Sequence, residues 1–329
     1  MKRPKSITAA LADLSEAGTT VDRQEAVDTL RTALGAKSHA IVAQAAELAA
    51  RLELGELARD LRDAFGRFCG DGMNSDKQCQ AKTAVVRALH RLKSDETDVF
   101  VEGMGLYWPA RPRDGGRDVA ASLRTAAAHA YAELGPPAEV DPLVDLLADP
   151  VADVRLIAVR ALAALGGPHN GSLLRLKVLL GDGDPNVIEE CFAVLLDGEK
   201  DRYLPFVARY MEDENPRLCV AAALSLGRSR HAKALDLLTS RWRSVGDPEF
   251  KRDLLVAVAL LRSEPAVTFL LSLLSESTDE AEDAIAALSH LQMLPHVRER
   301  VETAVSRSDD GQLRHAFRTY FRQVGSPST

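Results

Sequence analysis

The chain has 329 residues, of which 46% are hydrophobic, 27% charged and only 5% aromatic. That balance suits a chain folding around an apolar core and excludes a disordered tail. The formal charge of −7, from 41 basic and 48 acidic side chains, gives no general attraction to phosphate backbones, so nucleic-acid binding is not expected.

Residues 1–21 are expected to form a polar segment and a capping helix. They open on the basic cluster Met1-Lys-Arg-Pro-Lys5, and the apolar run that follows is short and broken by Asp13 and Glu16, unlike a signal peptide. No later stretch approaches the about 18 consecutive apolar residues of a membrane span. A cytoplasmic chain without disulfides is therefore expected, its four cysteines (Cys69, Cys79, Cys191, Cys219) showing no close pair spacing.

From residue 22 to about 325 the chain repeats itself. Asp149-Pro150, Asp184-Pro185, Asn215-Pro216 and Asp247-Pro248 follow one another at spacings of 35, 31 and 32 residues. Each lies between two apolar-periodic runs. Aspartate or asparagine caps a helix, and proline fits its first turn but not its interior. Each unit is thus a helix A, a turn and a helix B. In the clearest helix B, Val154, Ile157, Ala158, Ala161, Leu162 and Leu165 follow amphipathic spacing and Gly166-Gly167 stops the run. The register extends forward to His315–Arg322 and backward to Glu47–Leu52. The expected fold is all-α: an α-solenoid, a right-handed superhelix of about nine antiparallel helix pairs forming a single domain over residues 22–325.

The segment Val154-Arg-Leu-Ile-Ala-Val-Arg-Ala-Leu-Ala-Ala-Leu-Gly166, after its aspartate-containing turn, resembles a bacterial HEAT repeat, of the short kind also found in phycobilin lyases. Arg217 to Gly227 is a looser match. The resemblance is clear over residues 120–325 and weaker over 22–119. It implies an armadillo-like fold whose relatives serve as scaffolds and adaptors, with occasional enzymes.

Two backward spacings, 42 and 40 residues, exceed the repeat of about 31. The excess falls in long loops near 66–78 and 105–118, both between helix A and helix B, so the two are expected to emerge side by side. The second carries Tyr107, Trp108, Arg111, Arg113 and Arg117, the residue types concentrated in binding hot spots. These five are the candidate partner-binding residues, suited to an acidic or carboxylate-bearing segment of another protein. The competing expectation is that Tyr107 and Trp108 cover the edge of the solenoid while the arginines are solvated.

Other constellations point to no chemistry. Cys69 and Cys79, ten residues apart, read as ordinary thiols. The eight histidines form no ligand motif and read as structural or incidental. There is no P-loop, no GxSxG and no strand to carry a dinucleotide fingerprint. The sequence is therefore expected to encode a monomeric, non-catalytic interaction scaffold without metal or cofactor, binding another protein through its concave face and long-loop edge. The alternative is a HEAT-like enzyme of the chromophore lyase or DNA-repair glycosylase type.

Overall fold

The computed structural model describes residues 6–17, 22–70, 75–107, 118–136, 139–275, 278–308 and 310–321. Among the described residues every regular element is helical. Internal contacts divide the chain into two compact units, Met1–Leu173 and Leu174–Thr329.

The first unit contains α1 (Ile7–Ala17), α2 (Arg23–Leu34), α3 (His39–Arg51), α4 (Ala58–Gly70), α5 (Gln80–Arg91), α6 (Thr97–Met104), α7 (Ala121–Leu134), α8 (Asp141–Leu146) and α9 (Ala152–Leu165). The division falls within α10 (Asn170–Leu180). The second unit continues with α11 (Pro185–Gly198), α12 (Lys200–Ala208), α13 (Pro216–Arg228), α14 (Ala234–Ser244) and α15 (Pro248–Leu260). It ends with α16 (Glu264–Ser272), α17 (Thr278–Ser289), α18 (Pro295–Arg307) and α19 (Gly311–Tyr320). Among the described residues the helices after α1 follow one another as nine pairs in chain order, α2 with α3 through α18 with α19, which is the all-α repeat architecture that the periodicity predicts.

In the first unit α3, α5, α7 and α9 stack in one row, while α2 packs on α4 and α6 on α8. In the second, α11, α13, α15, α17 and α19 form the equivalent row. Small side chains allow these rows to close. Ala45, Ala46 and Ala49 of α3, Ala88 of α5 and Ala127, Ala128 and Ala130 of α7 are fully or almost fully buried. Larger residues fill the space between the rows, among them Leu61, Phe65, Leu89 and Leu162, each contributing about 1.5–3 kcal/mol by burial. Charged pairs such as Arg23–Glu56, Arg31–Asp60 and Lys233–Asp201 tie successive helices at the surface, where each is worth about 0–1 kcal/mol.

α13 and α15 approach closely at Gly227. A Cβ added at Gly227 would lie 2.2 Å from the carbonyl oxygen of Ala257, a backbone atom that cannot swing away. Alanine is the better helix former by about 0.8–1.0 kcal/mol, but overpacking of this kind costs about 1–3 kcal/mol and sometimes more. Gly227→Ala is therefore expected to lower the urea midpoint of the second unit, and an unchanged or raised midpoint would show that α13 moves away freely.

Three of the four predicted turns cap their helices with the expected side chain. Asp184, Asn215 and Asp247 accept hydrogen bonds from the backbone N–H of Asn186, Arg217 and Glu249 at 3.0, 3.0 and 3.1 Å, with proline at the first helical position. Asp149 differs. It is 2% exposed, and α9 starts two residues beyond Pro150. Its carboxylate still accepts from the N–H two residues on, that of Val151, and in addition binds Arg124 of α7. The loop expected over 66–78 is also shorter, because α4 remains helical through Gly70.

Candidate functional site

The long loop of the first unit opens after α6 and closes before α7. Of its candidate residues, Trp108, Arg111, Arg113 and Arg117 lie outside the described residues, and Tyr107 alone lies within them. Tyr107 is 49% exposed. The described geometry is that of the two ends of the loop, and Arg124 organises it.

Arg124, one turn into α7, is fully buried. Its Nη1 donates to the carbonyl oxygen of Leu106 at 3.1 Å, on the entry side of the loop. Its Nη2 donates to Asp118 Oδ2 at 2.8 Å, on the exit side. The same guanidinium forks onto Asp149 of the next turn, Nε to Oδ2 at 2.7 Å and Nη2 to Oδ1 at 3.0 Å. Its flat face lies 4.4 Å from the centroid of the Tyr107 ring, a cation–π contact. One side chain thereby holds both ends of the loop and fastens them to the following repeat. A lysine could not do this, since only the planar fork matches several acceptors at once.

The electrostatics follow from that packing. Burial acts to lower the Arg124 pKa, but the hydrogen bonds from Asp149 and Asp118 outweigh it and hold it above its ordinary value. The Tyr107 phenol is pushed up by burial and by the Asp149 carboxylate. Asp149 is also occupied elsewhere: its Oδ1 accepts from the Val151 N–H at 2.8 Å and its carbonyl from Arg155 Nη1 at 2.8 Å.

The clamp has a counterpart in the preceding repeat. Asp76 and Lys82 form a buried ion pair at 3.1 Å, both side chains almost wholly excluded from water. Asp76 Oδ1 has no hydrogen-bond partner among the described residues. Three such pairs share one register. Asp76 and Lys82, Asp118 and Arg124, and Asp149 and Arg155 each stand six residues apart, at the start of three successive second helices. The same six-residue step joins Cys219 Sγ to the carbonyl of Asp213 at 3.1 Å and Arg314 Nη2 to that of Ser308 at 3.0 Å. The device is general: a donor in the first turn of the second helix satisfies an acceptor at the end of the loop before it. The recurrence of Asp-x5-Lys/Arg was visible in the sequence and is the signal that would have found Arg124.

Cys79 begins α5 in the left-handed conformation, with φ of 53°, and is buried. Burial pushes its thiol up to about 11, with Lys82, Asp76, Asp118 and Arg124 all acting on it, so the closing ends of the two loops share one neighbourhood. Cys69 is pushed up to about 12, first by burial and then by Glu102. Thiols of this kind stay protonated and are poor nucleophiles.

The sequence reading set the histidines aside as incidental, yet the packing of α5 against α7 brings two of them together. His90 and His129 meet Glu133 at the surface of the first unit. Their separation in sequence, 39 residues, hides the meeting, which depends on how far the inserted loop displaces the register.

No family model matches the chain, and no curated protein matches it. Among solved structures it is similar to YibA of Escherichia coli, at 14% identity and a TM-score of 0.44, covering 98% of this chain and 99% of that one. It is also similar to the CpcE–CpcF complex of phycocyanin lyase from Nostoc sp., at 18% identity and 0.36, covering 76% and 91%. A third is human deoxyhypusine hydroxylase in complex with glycerol, at 14% identity and 0.31, covering 88% and 97%. Likenesses this distant carry no argument about what this chain does. They do correct one expectation. The sequence, from its lack of catalytic motifs and its repeat architecture, is expected to encode a non-catalytic chain; the similar chains include a lyase and a hydroxylase, so that exclusion is withdrawn. On the membrane, none of the described helices is long and apolar enough to cross one.

Proposed function

We propose that this is a HEAT-like repeat protein that binds an acidic segment of another protein through the loop edge of its first unit. The observation that carries the proposal is the Arg124 clamp. Buried charges are expensive to arrange, and here they fix the ends of a loop that carries Tyr107, Trp108, Arg111, Arg113 and Arg117. Long loops on a rigid helical base are more often functional than connecting. Tryptophan, tyrosine and arginine supply large contact area with a polar end, and clustered guanidinium groups suit carboxylates. Tyr107, its ring against the Arg124 guanidinium and half exposed, joins the fixed base to the rest of the loop.

The test is affinity capture from the native lysate with the full chain, comparing the wild type with a Trp108→Ala/Arg111→Ala variant by mass spectrometry. A protein retained by the wild type, lost by the variant and released as salt rises is the expected result, because exposed charge pairs are screened. Equal capture by both forms, with unchanged melting temperature, would remove the loop edge from the binding site. Catalysis stays open beside this reading, and the observation bearing on it is the cluster of His90, His129 and Glu133.

A further inference from the structure

Three side chains from two helices converge on one point of the first unit. His90 stands in the last turn of α5, and His129 and Glu133 stand one turn apart on α7. His90 Nε2 lies 2.9 Å from Glu133 Oε2, and His129 Nε2 lies 3.7 Å from Glu133 Oε1. The two imidazoles meet edge to face with centroids 5.1 Å apart. One ligand atom from each residue falls within 4.8 Å of the others.

We propose that His90, His129 and Glu133 bind a divalent transition-metal ion of the zinc class. Two imidazoles and a carboxylate form a donor set that zinc accepts, with bonds of about 2.0–2.2 Å, so ligands in a tetrahedral site stand about 3.4 Å apart. The His90–Glu133 spacing is already below that value, and closing the remainder needs only rotamer changes in side chains at a surface. A hydrogen-bonded His90–Glu133 pair accounts for one carboxylate oxygen. His129, one turn before Glu133 on α7, presents its Nε2 to the other oxygen.

The surroundings suit an open rather than a closed site. His90 and His129 both line a cavity of about 630 Å³ between α5, α7 and α9, which also presents Arg87, Ser122, Thr125 and Asp153. That volume accommodates a small molecule. Three protein ligands leave a zinc ion at least one position for water or another donor, as in catalytic zinc sites, whereas structural sites are closed by four. An ion here stands in the wall of the cavity.

The experiment is calorimetric titration of the full chain with Zn²⁺ after chelation and exchange, repeated with His129→Ala, Glu133→Gln and His90→Ala. One equivalent is expected to bind. Each variant is expected to weaken it by more than about 100-fold, beyond the about 10- to 100-fold that loss of an outer-shell partner costs. His129 and Glu133 are exposed helix positions, so these variants should retain the wild-type circular dichroism. Substitution with Co²⁺ separates this site from the four cysteines: visible d–d bands without thiolate charge transfer support the imidazole–carboxylate set. Absence of saturable binding, affinity unchanged within threefold in the exposed-position variants, or a thiolate charge-transfer band would each overturn the proposal.

Discussion

Arg124→Ala is expected to destabilise the first unit by about 3–5 kcal/mol, because removing one member of a buried ion group leaves the others charged and unpaired. The stranded groups are specific. Asp149 would lose both bonds of its fork and Asp118 its ion pair with Arg124, while the Leu106 carbonyl loses its donor. Arg124→Lys keeps the charge and the stem but replaces a fork with a point charge, which cannot reach Leu106, Asp118 and Asp149 together. It should fall between wild type and alanine. Urea denaturation followed by circular dichroism measures both, and a double-mutant cycle with Asp149→Ala isolates the shared energy. A loss within about 0.5 kcal/mol, typical of an ordinary surface site, would show that water replaces the guanidinium at little cost and that the loop ends need no clamp.

That prediction also marks where the sequence stopped being legible. The helix pairs could be read because they depend on local chemistry. Asp184, Asn215 and Asp247 cap the helices that their prolines announce, and the spacing of Val154, Ala158, Ala161 and Leu162 gives the buried face of α9. Asp149 sits in the same motif, makes the same bond to the N–H two residues on, and does something more, because a second partner is 25 residues away on α7. Nothing within the motif distinguishes it from the other three. The distinction lies in Arg124, a charged residue in an apolar helix face, which burial makes possible only when carboxylates converge on it. The helical extension of α4 through Gly70 was missed for a related reason. Phe65 and Phe68 are buried on the core face and continue the helical pattern past Gly66, whose effect on helix propensity is smaller than theirs on packing.

The histidine cluster was illegible on stronger grounds. His129 and Glu133 are four residues apart, an ordinary helical pair. Their meeting with His90 depends on the rise of α5 relative to α7, and therefore on a loop insertion whose length changes the apparent register. Residue type and spacing cannot supply that offset. Contact between the two helices does.

The second large effect concerns how far the repeats depend on one another. Leu162 is fully buried in α9, and its own carbonyl accepts a 2.6 Å hydrogen bond from Asn170 Nδ2, which also bonds Gly166 O and so finishes the helix. Replacing Leu162 with alanine would cost about 2–5 kcal/mol through the cavity alone. Aspartate adds the cost of burying a charge with no partner, so Leu162→Asp is expected to exceed the margin of about 5–15 kcal/mol that holds a typical domain together. Because α9 buries its face on α7 and α8, loss of α9 exposes theirs, and α7 carries Arg124. Unfolding should therefore spread to the clamp and remove more helical signal than the residues of α9 could account for. Leu180→Asp is the control, since Leu180 is 77% exposed and should change stability by no more than about 0.5 kcal/mol. If Leu162→Asp removed only the helicity of α8 and α9 and left the neighbours protected in hydrogen exchange, each pair would be stable alone, and nearest-neighbour burial would not be what holds the array together.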